Sequence, residues 1–265
     1  MSAGGPGPGV WARRRARALA LAEQTPHARE ILETYSELLA LQEAMAVQVP
    51  EGWGADADAT ELEPLFRTFL DGACGVGTRA MREQGQALLE APAVARAAAL
   101  VEAAGGEAQV HARAFLEAVA TELARRGEGP LRFGPASDVD AVEGHAQRCP
   151  ACGDLALVGV LWDEPGAMGA RALICGSCAT EWRAPRVACV ACGEADSGSL
   201  HVHVAESLPH LRVDACASCR RYLKVVDLRK RGDAVPVVEE VASIELDLWA
   251  HEAGLRKVRA NVLGL

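Results

Sequence analysis

The sequence predicts an α+β protein: an N-terminal all-helical bundle, then two tandem four-cysteine ribbon modules, and a C-terminal helix. Up to about residue 127 the chain is rich in Ala, Leu, Glu and Arg, which are strong helix formers. One of its nine cysteines lies in the first 140 residues, and the other eight fall between Cys149 and Cys219 as four C-x-x-C pairs. Pro236 then opens a last stretch with helical spacing. The expected domains are 1–140 (helical), 141–187 and 188–228 (the two modules) and 229–265 (helix and tail).

Each helix of the first half carries its own signal. Thr25-Pro26 reads as an N-cap with proline at the first helical position, and Ile31, Tyr35, Leu38, Leu39 and Leu41 keep helical spacing as far as Met45. Thr60 with Glu63 reads as a capping box leading into Leu65, Phe66 and Phe69. Thr78 to Glu90, Val94 to Ala104 and Ala108 to Arg126 continue the pattern, and Gly127 stops it. Five or six helices are expected, forming a packing or docking unit without a catalytic motif. Residues 127–145 have the Gly, Pro and Asp content of a linker, which puts the domain boundary near residue 140.

With 265 residues, half of them hydrophobic, the chain can bury a working core. Its formal charge of -9 argues against an open grip on nucleic acid phosphates. The acidity sits mainly in the helical half, where 13 Arg face 20 acids, against 14 Lys and Arg facing 16 acids beyond residue 140. No run approaches the roughly 20 apolar residues of a membrane span. Arg13, Arg14, Arg15 and Arg17 precede an apolar run, Ala18 to Ala22, but it ends at Glu23, short of a signal-peptide core. A cytoplasmic location is expected, where clustered cysteines are metal ligands or redox groups rather than disulfides.

The pairs are Cys149/Cys152, Cys175/Cys178, Cys189/Cys192 and Cys216/Cys219. This spacing lets two thiolates converge on one ion from a tight turn whose backbone N–H groups point at the sulfurs. Gly153 and Gly193 follow two of the turns and supply positive φ at no steric cost. The block is duplicated: Cys149 to Asp154 matches Cys189 to Glu194 at an offset of 40, and Arg171 to Cys178 matches Arg212 to Cys219 at an offset of 41. Small hairpins such as Leu155 to Leu161 and Leu200 to Ala205 fit between the pairs. Redox dithiols fare poorly, because the strand-helix-strand context of a thioredoxin-type C-x-x-C is missing. A cross-braced arrangement would mate the first pair with the third; duplication favours sequential sets. Four thiolates suit zinc or a rubredoxin-like iron. Either way the site is closed, so it contributes folding free energy rather than substrate chemistry, and no catalytic residue is expected.

Other residues carry blander expectations. His201 and His203 alternate on a strand, facing solvent, with Val202 and Val204 turned the other way. Cys74 reads as a single packed thiol. The basic run Arg220, Arg221, Lys224, Arg229, Lys230 and Arg231 reads as a solvated edge balancing acidic groups. Tyr222 to Val226 is a strand. In the last helix Val237, Val241, Ile244 and Leu248 share the packed face, with Glu239, Glu240, Glu245 and Asp247 on the other.

Several of these motifs carry a resemblance. Cys149-Pro-x-Cys-Gly, Cys175-x-x-Cys178-x-Thr180-Glu181-Trp182-Arg183, Arg186-Val187-x-Cys189-x-x-Cys192, Cys216-x-x-Cys219-x-x-Tyr222-Leu223-Lys224-Val225 and Val241 to Asp247 resemble the formate dehydrogenase accessory proteins, the FdhE family. The similarity covers about residues 145 to 262. It implies a helical N-terminal domain, two rubredoxin-like (zinc-ribbon-like) modules binding iron through the eight cysteines, and a cytoplasmic location. It also implies a non-enzymatic role in activating molybdenum- or tungsten-dependent formate dehydrogenase by binding its catalytic subunit; the acidic balance and the lack of a long apolar run add the expectations of no nucleic acid partner and no stable membrane insertion. The competing readings are a zinc-ribbon nucleic-acid binder and a rubredoxin-like electron carrier.

Overall fold

The computed structural model describes residues 6–7, 9–53, 57–104, 109–131 and 147–265. Most of the expected linker, and the boundary near residue 140, lie outside the described residues. Contacts divide the chain into two compact units, one built of the N-terminal helices and one of the strands with the last two helices.

The helical unit holds α1 (Val10–Gln24), a 3-10 turn (Pro26–Ala28), α2 (Arg29–Ala46), α3 (Ala59–Ala73), α4 (Arg79–Glu90), α5 (Ala93–Ala104) and α6 (Val110–Arg126). Its core is apolar, with Leu32, Leu39, Leu62, Phe66 and Phe115 fully buried and the Phe66 and Phe115 rings 5.2 Å apart. Thr78 caps α4 through the Met81 N–H, and Gly127, at φ 73°, ends α6. The capping box of α3 sits two residues earlier than Thr60 and Glu63 suggest. Asp58 accepts from the Thr60 and Glu61 N–H groups, and Glu61 bonds back to the Asp58 N–H. Glu63 is buried instead, 2.5 Å from Arg96. A carboxylate one turn into the helix faces the core, where Arg96 on α5 pairs with it.

The other unit is built on one sheet of seven strands: β1 (Ala156–Glu164), β2 (Ala167–Cys175), β3 (Glu181–Arg183), β4 (Leu200–Val204), β5 (Leu211–Cys216), β6 (Arg221–Asp227) and β7 (Arg256–Lys257). The order is β3-β2-β1-β6-β5-β4, with β7 added beside β6. Each cysteine block contributes an antiparallel meander, and parallel pairing of Gly159, Val160 and Leu161 with Val225, Val226 and Asp227 joins the two. The modules therefore share a sheet. They lie side by side in the same direction, so repeat-equivalent residues emerge on the same face. Gly159 sits opposite Val225, and a Cβ there would come within 3.0 Å of the valine methyl.

The C-terminal stretch forms two helices, α7 (Pro236–Ala242) and α8 (Ile244–Glu252), broken at Ser243. The break resets the helical phase. Leu246 and Ala250 turn inward onto the sheet, and Leu248 is left 60% exposed rather than packed. Glu239 and Glu240, expected on the solvent side, are buried. Glu239 meets His210 at 3.2 Å, and Glu240 meets Lys224 at 3.1 Å and Lys257.

Candidate metal centres

Every thiol pair stands on a tight knuckle beside a strand. In the first block the knuckle before β1 carries Cys149 and Cys152, and the one after β2 carries Cys175 and Cys178. In the second, Cys189 and Cys192 precede β4, and Cys216 and Cys219 lie between β5 and β6. The sulfurs gather as sequential sets, Cys149, Cys152, Cys175 and Cys178 in one and Cys189, Cys192, Cys216 and Cys219 in the other, each within 4.8 Å of its fellows. A tetrahedron of thiolates about 2.3 Å from an ion has edges of about 3.8 Å. The Sγ atoms of Cys149 and Cys178 are 3.6 Å apart and those of Cys152 and Cys175 are 3.3 Å apart. In the second set the distances are 3.7 Å for Cys189 with Cys219 and 3.8 Å for Cys192 with Cys216. Both sets have the size and donor chemistry to hold a tetrahedral metal ion.

The turns aim backbone donors at the sulfurs, as the Ser177 N–H does toward Cys175 at 3.3 Å. Gly153 and Gly193 adopt φ of 79° and 76° and donate to the Cys149 and Cys189 carbonyls. At the other two knuckles the same left-handed position is held by Ala179 (φ 55°) and Arg220 (φ 57°), where a side chain makes the conformation costly. Each site also has an acid-to-serine clamp across its knuckles. Ser177 bonds Asp154, and Ser218 bonds Glu194 at 2.8 Å. Arg259 adds to the first clamp, 2.8 Å from Asp154 and 3.0 Å from Ser177. The clamps have a sequence signal, because Cys-Gly-Asp/Glu and the serine inside the second pair recur in both blocks.

Four crowded thiols do not ionise together without a cation. The hydrogen bond between Cys149 and Cys152 holds the first far below the ordinary thiol range and the second far above it. Burial pushes Cys189 up to about 11. A cation bound to each set would replace those protons.

This region matches two family models, described as "FdhE, central domain" over residues 148–186 and "FdhE, C-terminal domain" over 187–263. Residues 148–263 are thus spanned by two FdhE domain models. An FdhE homolog from Aquifex aeolicus is 41% identical over 116 residues, 44% of this chain and 41% of that protein. One from Pseudomonas putida is 33% identical over 126 residues, 45% of this chain and 39% of the other. The chain thus matches about two fifths of the length of these curated relatives. The crystal structure of the FdhE protein from Pseudomonas aeruginosa shares the fold, with a TM-score of 0.75 over 99% of this chain and 98% of that one at 24% identity.

Within the FdhE domains the remaining candidates fall differently. His201 and His203 are exposed, and the His203 ring lies 4.7 Å from that of Trp249. Val202 and Val204 are also more than half exposed, because β4 is an edge strand with little above either face. The basic run is not one solvated edge. Lys224 is fully buried, Arg229 is paired with Asp227 at 2.7 Å, and Lys230 bonds the Pro209 carbonyl. Outside the FdhE domains, Cys74 is half-buried, and burial together with Asp71 and Glu90 pushes its thiol above the ordinary range. A nucleophile needs the opposite shift. Among the described residues no helix is long and apolar enough to cross a membrane.

Proposed function

We propose that the chain is a non-enzymatic accessory factor that activates molybdenum- or tungsten-dependent formate dehydrogenase by binding its catalytic subunit in the cytoplasm. The observation that carries this reading is the pair of closed four-sulfur sets inside a region that both FdhE family models match. A four-thiolate site leaves no coordination position for a substrate, so its work is to fix the shape of a binding surface. Cys149, Cys152, Cys175 and Cys178 would hold one ion and Cys189, Cys192, Cys216 and Cys219 the other, iron by family resemblance with zinc as the alternative. The test replaces Cys175 and Cys178 by serine in the host. The expected result is loss of formate dehydrogenase activity and of co-purification with the catalytic subunit, while that subunit is still synthesised; normal activity in the variant would sink the reading. Metal analysis and the absorption spectrum of protein purified without air decide between iron and zinc.

A further inference from the structure

One face of the shared sheet holds a cavity of about 210 Å³ that is lined from both cysteine blocks. Arg171, Arg186, Arg212 and Arg221 stand in its wall, and Asp214 is the carboxylate among them. Arg171 and Arg212 are the same residue of the duplicated block, four positions before its second cysteine pair. The parallel seam brings both copies to one place, where they share Asp214, Arg171 at 3.1 Å and Arg212 at 2.9 Å. Arg171 is 4% exposed and held by the Pro185 and Ala188 carbonyls, yet its Nε has no hydrogen-bond partner among the described residues. Among the described residues Arg186 is tied only to the Met168 carbonyl, and half-buried Arg221 has neither an ion pair nor a side-chain hydrogen bond.

We propose that this cavity binds an organic anion, a carboxylate or phosphate group carried on an apolar body. Guanidinium forks match both groups in a bidentate way, and Val202, Leu223 and Val258 supply apolar wall. The second thiolate set also touches the cavity through Cys189 and Cys216. Its charge does not account for the cluster. Four guanidiniums against one carboxylate and a divalent ion with four thiolates still leave a positive balance. At the first set the same sulfur geometry stands beside Arg259, which Asp154 already neutralises, so a tetrathiolate does not of itself demand four guanidiniums.

The anion could be a free small molecule or an acidic side chain of a protein partner, and the test separates the two. Metal-loaded full-length protein is titrated with benzyl phosphate and with benzoate, followed by calorimetry and by amide shifts of Val202 and Leu223, with benzyl alcohol as the uncharged control. Saturable binding of a charged probe is expected, weakened on the order of tenfold to a hundredfold by Arg212→Gln or Arg221→Gln at unchanged metal content and unaltered by Arg79→Gln on the exposed face of α4. A glutamate-containing pentapeptide that displaces the probe at lower concentration than free glutamate assigns the site to a protein side chain; the reverse order assigns it to a small molecule. Absence of saturable binding of both charged probes at millimolar concentration, binding of benzyl alcohol as strong as theirs, or equal affinity in the Arg212 and Arg221 variants overturns the proposal. None of these outcomes depends on formate dehydrogenase.

Discussion

Replacing Lys224 by methionine tests the least expected feature of the fold. Neither Lys224 nor Glu240 exposes its side chain, and they meet at 3.1 Å. Lys224 also bonds Asp247 at 2.6 Å and the Glu240 and Ser243 carbonyls at the α7 to α8 break. Lys257 adds its charge to Glu240 and Asp247, Asn261 donates to Glu240 at 3.0 Å, and the Tyr222 hydroxyl donates to Asp247 at 2.7 Å. Two cations thus face two carboxylates, with Lys224 and Glu240 wholly buried and Asp247 partly so. Burial pulls Lys224 below the ordinary lysine range against the attraction of Glu240, while Lys257, despite its own burial, is held above that range by Glu240 and Asp247. Methionine fills most of the lysine volume but leaves one cation for two buried carboxylates and strips two helix carbonyls of a donor. Breaking a buried pair in this way costs about 3–5 kcal/mol, a fall in Tm of roughly 15 °C for a unit of this size. The companion Lys224→Met/Glu240→Leu variant restores charge balance with apolar groups and should recover most of that loss. Urea denaturation at fixed metal content, run as a double-mutant cycle, measures both. A single variant within 1 kcal/mol of the parent, or a double variant as unstable as the sum of the singles, refutes the reasoning.

Three further changes probe other parts of the structure. Gly159→Val should weaken the seam between the modules by about 1–3 kcal/mol through overpacking against Val225, seen as a lower urea midpoint. Ala179→Gly relieves a left-handed alanine at φ 55° and should stabilise the first module by about 1 kcal/mol with both metal sites retained; a loss of stability would show that Ala179 is not strained. The Arg125 hydrogen bond, with help from Arg126, holds Glu122 below the ordinary glutamate value of 4.5. Stability from such a group is present above that value and lost as pH falls through the lower folded pKa. Glu122→Gln should therefore cost about 1 kcal/mol near pH 7, after allowance for solvent screening, and progressively less as pH falls below 4.5; a cost that does not shrink on acidification in urea melts monitored by circular dichroism rejects that assignment.

Sequence spacing alone located the sulfur sets because the information is local: each C-x-x-C closes its own turn, and duplication of the block tells which pairs belong together. Helix ends at Thr78 and Gly127 are legible for a similar reason, whereas α1 carries no cap signal and Thr25, which reads as an N-cap, makes no side-chain capping bond and precedes a 3-10 turn before α2. The misreadings share a cause. Lys224, Glu239 and Glu240 read as solvent-facing because a charge on a periodic element usually faces water, and Glu63 reads as a cap because of its spacing from Thr60; periodicity cannot show that a partner waits inside. Val202 and Val204 were read inward because alternation assumes a neighbour on one face, whereas β4 is the edge of the sheet. The left-handed Ala179 and Arg220 carry no glycine to mark them.

The duplication has a consequence that neither repeat contains. β1 leaves the knuckle of Cys149 and Cys152, β6 leaves the knuckle of Cys216 and Cys219, and these two strands form the parallel seam. Each thiolate set therefore anchors one side of the same ladder, and Leu228 extends it by donating to the Leu161 carbonyl at 2.9 Å. A strand released at one set exposes backbone groups of the strand held by the other, and unpaired backbone groups in a buried sheet are costly. Folding of the two modules is coupled through that ladder. The same translation of one block beside the other brings Arg171 and Arg212 to a single carboxylate, so the cavity exists only when both blocks are folded. A surface made of the two modules together is then present only in protein whose thiolate sets are both formed, as the proposed recognition role requires.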